Sequence, residues 1–393
     1  MTFGLNLSPA HRVYAGFCLH AITMGGIFPR LPDIRAALHL GEGTLGFSLI
    51  GVPAGTLLAF TFATPFLERL GFRRGLLAAI SLVAIIYALA VHAVGPKSLF
   101  AMLVPIGFLI GCIEIMLNVE ADRTEAMVGR RIMNRAHSFW SFGFFITGII
   151  GAGAAQMGLS PQLHLGLMVP VILAAVALTL GKFEPAPTRV VESGQARPRF
   201  ALPTVPILLL VTVTISAMLM EGAGIDWSAI YMRNVFNSSP FIAGFAVATV
   251  ALSQAIARFF ADGFVEKHSP AGVARLLSVV MFAGIMMLFF SQSQTVSLLG
   301  FALVGVGTSV MFPLAISAAA QMTDRPSAIN VASFVQIAFV IFLFGPPLLG
   351  GIAEKYGIQW AFAIGAPLAV LSLMTAGALG KTRVSAQTIK NNA

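Results

Sequence analysis

The chain has 393 residues, of which 57% are hydrophobic and only 10% charged. A soluble domain carries about a quarter charged residues, so this composition excludes a water-soluble enzyme. Only two cysteines are present, Cys18 and Cys112, both in apolar runs, which excludes a disulfide-built scaffold. The net charge of +9 turns attention to where the 24 Lys and Arg lie relative to a membrane.

A membrane-spanning helix needs about 20 mainly apolar residues. Twelve such runs are predicted, over 12–37, 43–66, 74–94, 98–121, 133–156, 163–181, 204–231, 240–261, 271–292, 296–321, 327–352 and 359–380. Strand-like alternation is lacking, which argues against a barrel. The first run resembles a signal-peptide core, but no small-residue cleavage site follows it and Phe28-Pro29-Arg30-Leu31-Pro32 leads on to a second span, so it is read as helix 1. With a cytoplasmic N-terminus, 19 basic residues fall inside and five outside: Arg30, Arg35, Lys97, Arg233 and Lys355. The positive-inside rule therefore places both termini in the cytoplasm. The basic balance reports topology, and a nucleic-acid partner is not expected.

The longest polar stretch, 182–203, carries Pro185, Pro187, Pro198, Pro203 and Ser193-Gly194-Gln195. It reads as a cytoplasmic linker between a six-helix unit over 1–181 and a second over 204–393 with a short tail. The two units echo each other. Glu68-Arg69 after helix 2 matches Glu266-Lys267 after helix 8, 198 residues on, and Ala155–Gly158 matches Ala353–Gly357 at a similar offset. A near-constant offset points to an internal repeat.

The loop after helix 2 reads Thr64-Pro65-Phe66-Leu67-Glu68-Arg69-Leu70-Gly71-Phe72-Arg73-Arg74. It resembles the G-x-x-x-D-R-x-G-R-R loop of the major facilitator superfamily, with Thr64 for the first Gly, Glu68 for Asp and Phe72 where a basic residue is common. The 6+6 plan extends the likeness over nearly the whole chain. Four passages also resemble a bacterial branch, the YbjJ-like inner-membrane transporters: Arg30-Leu31-Pro32-Asp33-Ile34, Glu114–Val119, Ile132–Gly143 and Glu221–Ser228. That branch usually shows Asp where Glu114 stands. The resemblance implies an all-α membrane protein of two pseudo-symmetric six-helix bundles, a secondary transporter working by alternating access in the bacterial inner membrane. It also implies that helices 1, 4, 7 and 10 line a central cavity.

Ionisable residues inside a span cost about 2.5 kcal/mol or more on insertion scales, so they are candidates for function. Gly107, Gly111, Glu114 and Asn118 share one face of helix 4. His20 lies at a similar depth in helix 1, so Glu114 with His20 is the expected protonation switch; a structural polar pair is the alternative. In helix 7 the glycines Gly222 and Gly224 suggest local unwinding that aims Glu221 and Asp226 at a substrate, with Trp227 and Tyr231 as an aromatic wall; an interfacial belt is the alternative. Asn118, Trp140, Gln254, Asn330 and Gln336 are further candidate substrate contacts. His137 is a candidate inner gate with Asn118, or a packing histidine. Arg258 is a candidate anion site; snorkelling to the inner surface or pairing with Asp262 is the alternative. Arg30 and Asp33 suit an outer gate. Glu68, Arg69, Arg73, Arg74, Glu266 and Lys267 suit inner-face contacts between the two halves.

No phosphate-binding loop and no zinc-spaced Cys/His cluster is present, so neither ATP nor a metal is expected to act, and a proton gradient is the expected energy source. The expected activity is transport of a small organic solute, with efflux of an amphipathic or cationic compound slightly favoured and uptake of a sugar-like solute next. A membrane sensor or scaffold is the alternative of another class; its long signalling loops are missing. A lipid environment and a monomer are expected.

Overall fold

A computed structural model describes residues 4–130, 132–187 and 202–380. The side chains of Thr64, Glu68, Asp262 and Ala328 also lie outside the described residues. Among the described residues every regular element is helical. The spans are α1 (Pro9–Gly25), α2 (Glu42–Phe62, broken at Ile50), α3 (Phe72–Ala90), α4 (Pro96–Val128), α5 (Met133–Gln156) and α6 (Pro161–Leu180). The second half adds α7 (Val205–Asp226), α8 (Pro240–His268), α9 (Pro270–Phe290), α10 (Gln294–Gln321, broken at Ser309–Val310), α11 (Ser327–Tyr356) and α12 (Ile358–Leu379).

Eleven of these are long and apolar enough to cross a membrane. The exception, α1, has 17 residues, because Gly26 and Ile27 interrupt the predicted run over 12–37 before a short 3-10 turn and the helix Leu31–Ala37. Many helix starts follow one recipe. Pro9, Pro161, Pro240 and Pro270 occupy first helical positions, where the missing N–H costs nothing, and Ser8, Ser160, Ser239 and Ser269 cap them through their hydroxyls.

The face bearing the α6 end and residues 181–187 is called here the linker face, and the opposite one the far face. At the linker face the short helix Thr64–Leu70 turns sharply into α3 at Gly71, whose φ of +79° suits glycine. Residues 183–187 fold back on the first bundle: Phe183 packs on Phe72, and Ala186 N–H donates to Glu120 Oε1 at 2.7 Å.

The internal repeat is visible in the packing. A Cβ at Gly107 of α4 would collide with the Val52 carbonyl of α2, and one at Gly305 of α10 would collide with the Val250 carbonyl of α8. These two pairs are related by 198 residues, the offset read from the loops. The contacts between halves repeat in the same register. Gly244 of α8 packs on Ala152 of α5, and Gly46 of α2 packs on Gly350 of α11. Small residues replace bulk wherever helix backbones approach closely, as expected in a lipid setting.

The two interfaces between halves differ along their length. α5 and α8 stay in contact along much of it, from Gly148–Ala248 to Arg135–Phe259. α2 and α11 pack closely only in the far-face piece, Glu42–Leu49; toward the linker face they keep an edge-to-face contact of Phe60 and Phe339, centroids 4.9 Å apart.

Candidate functional site

Two polar clusters occupy the interior. The first crosses α1, α4 and α5. His20, fully buried, places Nε2 at 3.2 Å from Glu114 Oε1. One turn below, Asn118 donates from Nδ2 to Glu114 Oε2 at 3.1 Å and to the Glu114 carbonyl at 2.9 Å. Its Oδ1 lies 3.3 Å from His137 Nε2 on α5, and the His137 ring meets the edge of Phe17. Four side chains thus form one hydrogen-bonded line, and Glu114, a quarter exposed, is the acid in it. The glycines on the same face of α4 have a separate use, since Gly107 and Gly111 seat α2.

The second cluster crosses between halves. Glu221 Oε1 on α7 accepts from Gln254 Nε2 at 2.8 Å and from Arg258 NH2 at 3.0 Å, both on α8. Arg258 NH1 donates to Ser141 Oγ on α5 at 2.7 Å, and Arg258 Nε donates to the Ser309 carbonyl at the α10 break at 2.8 Å. Ser141 Oγ in turn donates to Gln254 Oε1 at 3.3 Å, and Gln254 Nε2 also reaches Thr308. The guanidinium lies 5.8 Å from the Trp140 ring centroid, within cation–π range. Arg258 thus pairs with Glu221 from another helix; the Asp262 side chain, its expected partner, lies outside the described residues. The reach of a helical side chain to the next helix is invisible in i, i+4 spacing.

Several sequence candidates sit elsewhere. α7 remains helical through Gly222 and Gly224 to Asp226, so the expected unwinding is absent; Gly224 instead admits Val250 of α8. Trp227 is fully buried against Gly350, and Tyr231 is buried with its hydroxyl donating to the Leu288 carbonyl, so the pair packs into the second bundle instead of forming a wall. Asp226 is half-buried at the α7 end. Asn330, fully buried, donates to Asp324 Oδ1 at 2.8 Å and fastens the loop between α10 and α11. Gln336 is half-buried on α11.

The gating candidates also separate. Arg30 pairs with Asp33 at 2.8 Å and donates to the Leu159 carbonyl at 2.5 Å; both contacts stay within the first half, so this pair braces the α1 end instead of bridging halves. The far-face bridges are ones that sequence reading missed. Arg35 pairs with Glu42 at 2.6 Å, and Asn234 joins both from the second half; Glu354 of α11 accepts from Gly43 N–H of α2 at 2.6 Å. These are lone polar residues near helix ends, and their positions along the chain give no signal for such pairings. On the linker face Arg69, Arg74, Glu266 and Lys267 are exposed, and Arg73 donates to the Gly181 carbonyl within its own half. Among the described residues no ion pair joins the loop after α2 to the loop after α8; the Glu68 and Asp262 side chains lie outside that set. No His/Cys/Asp/Glu group among the described residues is arranged to hold a metal ion.

Residues 209–392 match the family model of the Major Facilitator Superfamily. The chain is 26% identical over 366 residues to an uncharacterized transporter, y4wD, of Sinorhizobium fredii, covering 91% of this chain and 94% of that one. It is 28% identical over 371 residues to an uncharacterized MFS-type transporter of Yersinia pestis, covering 93% and 94%. Among solved structures, a D-xylose-proton symporter aligns with TM-score 0.69 at 12% identity over 95% of this chain and 96% of that chain. A bacterial homolog of the human lysosomal transporter Spinster, in an inward-facing and occupied conformation, aligns with TM-score 0.67 at 14% identity over 95% and 97%. The fold is that of the major facilitator transporters, and the relatives are transporters, not enzymes.

Proposed function

We propose that this membrane transporter of the major facilitator fold is a secondary transporter that couples proton movement at Glu114 to the passage of a small polar organic solute. The observation that carries this reading is the line His20–Glu114–Asn118–His137: an intramembrane carboxylate whose two oxygens are each met by a group on a different turn or helix. Such residues are functional by default, because burying them otherwise costs stability. A proton arriving at Glu114 turns an acceptor of two hydrogen bonds into a donor. That change loosens the grip of α4 on α1 directly and on α5 through Asn118, and a two-state fold converts such a local change into an altered balance of states. No cofactor is required; the proton gradient supplies the energy.

The solute reading rests on the second cluster. Efflux of a cation needs a free carboxylate, and Arg258 already occupies Glu221. The groups around that pair, Ser141, Gln254, Thr308 and Trp140, are hydroxyl, amide and aromatic. This supports a hydroxyl-rich, sugar-like solute over the cationic one. The arginine balance supports a cytoplasmic linker face in a bacterial inner membrane, and the four motif passages support placement in the YbjJ-like branch. The far-face bridges Arg35–Glu42–Asn234 and Glu354–Gly43 support a state closed on the outer side.

A thermal-stabilisation screen on the purified protein tests the solute class. A ligand at about a hundred times its Kd stabilises by about 2.7 kcal/mol. Neutral sugars and polyols should include the stabilising compounds, with the effect lost in Gln254→Ala. Stabilisation by organic cations alone, unchanged in Gln254→Ala, contradicts the reading.

A further inference from the structure

The two clusters share one element. His137 closes the proton line and Ser141 closes the Glu221–Arg258 cluster, and they stand one turn apart on α5. Ser141 is fully buried, and its hydroxyl is used in both senses: it accepts from Arg258 NH1 and donates to Gln254 Oε1. Through it the first half enters the Glu221 cluster by hydrogen bonds. The internal repeat shows that this bridge is not a general requirement of the fold. The positions 198 residues from Arg258 and Ser141 are Phe60 and Phe339, which meet edge to face across the other interface. The same pair of sites is thus polar between α5 and α8 and apolar between α2 and α11. An apolar contact can part without stranding a buried polar group, whereas breaking Ser141–Arg258 leaves buried donors to be satisfied elsewhere.

We propose that Ser141 is a positioning residue that couples the two halves: it transmits the protonation state of Glu114, through the His137–Ser141 turn of α5, to the Arg258–Glu221 pair. This rests on the proton-handling reading of Glu114. The titratable and charged groups facing this part of α5 are His20 of α1, Glu114 of α4, Glu221 of α7 and Arg258 of α8, with Arg135 and His137 on α5 itself. His11 lies beside Tyr14, which stacks on Phe139 of α5. Arg30 and His164 sit further along, toward the far-face end, near Pro29 and Gly151.

The test needs no solute, because Trp140 lies against Arg258 and reports on its position. Trp140 emission is followed from pH 5 to 9 in the purified protein, in a Trp227→Phe/Trp360→Phe background. Because Trp227 is buried, the same component is also taken as the difference between wild type and Trp140→Phe. A sigmoidal change in Trp140 emission is expected in the parent chain. Glu114→Gln and Ser141→Ala should each reduce its amplitude at least fivefold, and Ser141→Thr, which keeps the hydroxyl, should retain it. Two results overturn the proposal: no pH response in the parent, or a response that survives in Glu114→Gln and Ser141→Ala. In the latter case loss in Glu221→Gln identifies local titration as the source. Proton-driven transport that persists in Ser141→Ala with the emission response lost leaves the transport reading standing while refuting Ser141 as its coupler.

Discussion

Replacing Arg258 by Met removes the charge that holds Glu221 and leaves a side chain of similar length to cover Trp140. Arg258 and Glu221 are only 11% and 14% exposed. Breaking one partner of a buried pair costs about 3–5 kcal/mol, since the other charge is left uncompensated. Both groups keep some solvent contact, so the lower end, about 3 kcal/mol, applies. With an unfolding entropy of about 2.1 cal/mol/K per residue, the whole chain melts about 4 °C lower. Glu221→Gln should cost a similar amount, because it strands the guanidinium instead. The double substitution removes both charges together, and its loss should be smaller than the sum of the singles by about 0.5–3 kcal/mol, the range seen for coupled neighbours. Melting of the four proteins in one detergent measures the cycle. Strictly additive losses, or an Arg258→Met protein that melts within 1 °C of the parent, refute the claim that this ion pair is what organises the second cluster.

Helix seating by glycine gives a contrast. Gly55→Val and Gly107→Val place bulk against an opposing backbone and should each cost about 1–3 kcal/mol by overpacking, whereas Gly153→Val faces open space and should melt like the parent. At the far face, Glu354→Ala removes the acceptor for Gly43 N–H. Spin labels at His39 and Tyr356 should then show a longer, broader distance distribution; an unchanged distribution argues that this contact does not hold the face shut. Removing the buried acceptor Glu120 should free residues 183–187 from the first bundle, and faster proteolysis of Glu120→Ala next to Pro185 checks it, with equal rates as the contrary result.

The spans were legible because a lipid-facing helix must be apolar along about 20 residues, and hydropathy records that directly. The 198-residue echo in two loops anticipated a repeat that the packing of Gly107 and Gly305 displays in the same register. The meeting of His20 and Glu114 was also legible, since both are rare polar groups at similar depth on helices expected to line one cavity. Partners across helices were not. The spacing of Arg258 offers Asp262 as a partner along the helix and carries no hint of Glu221 and Ser141, which its side chain reaches across to other helices. Trp227 and Tyr231 share a helical face, but that face turns into the second bundle. Gly222 and Gly224 suggested unwinding, and in the structure Gly224 serves close packing instead. In each case the sequence carries the periodicity of one helix and not its rotation about its own axis, which the neighbouring helices set.

Glu114 is the proposed proton-coupling group. Its most direct test is solute-induced proton movement in proteoliposomes loaded with a pH-sensitive dye, screened over neutral sugars and polyols. The account predicts that at least one solute drives proton flux through the parent protein and that Glu114→Gln abolishes the flux while still binding that solute. Equal proton flux in the parent and in Glu114→Gln would contradict it.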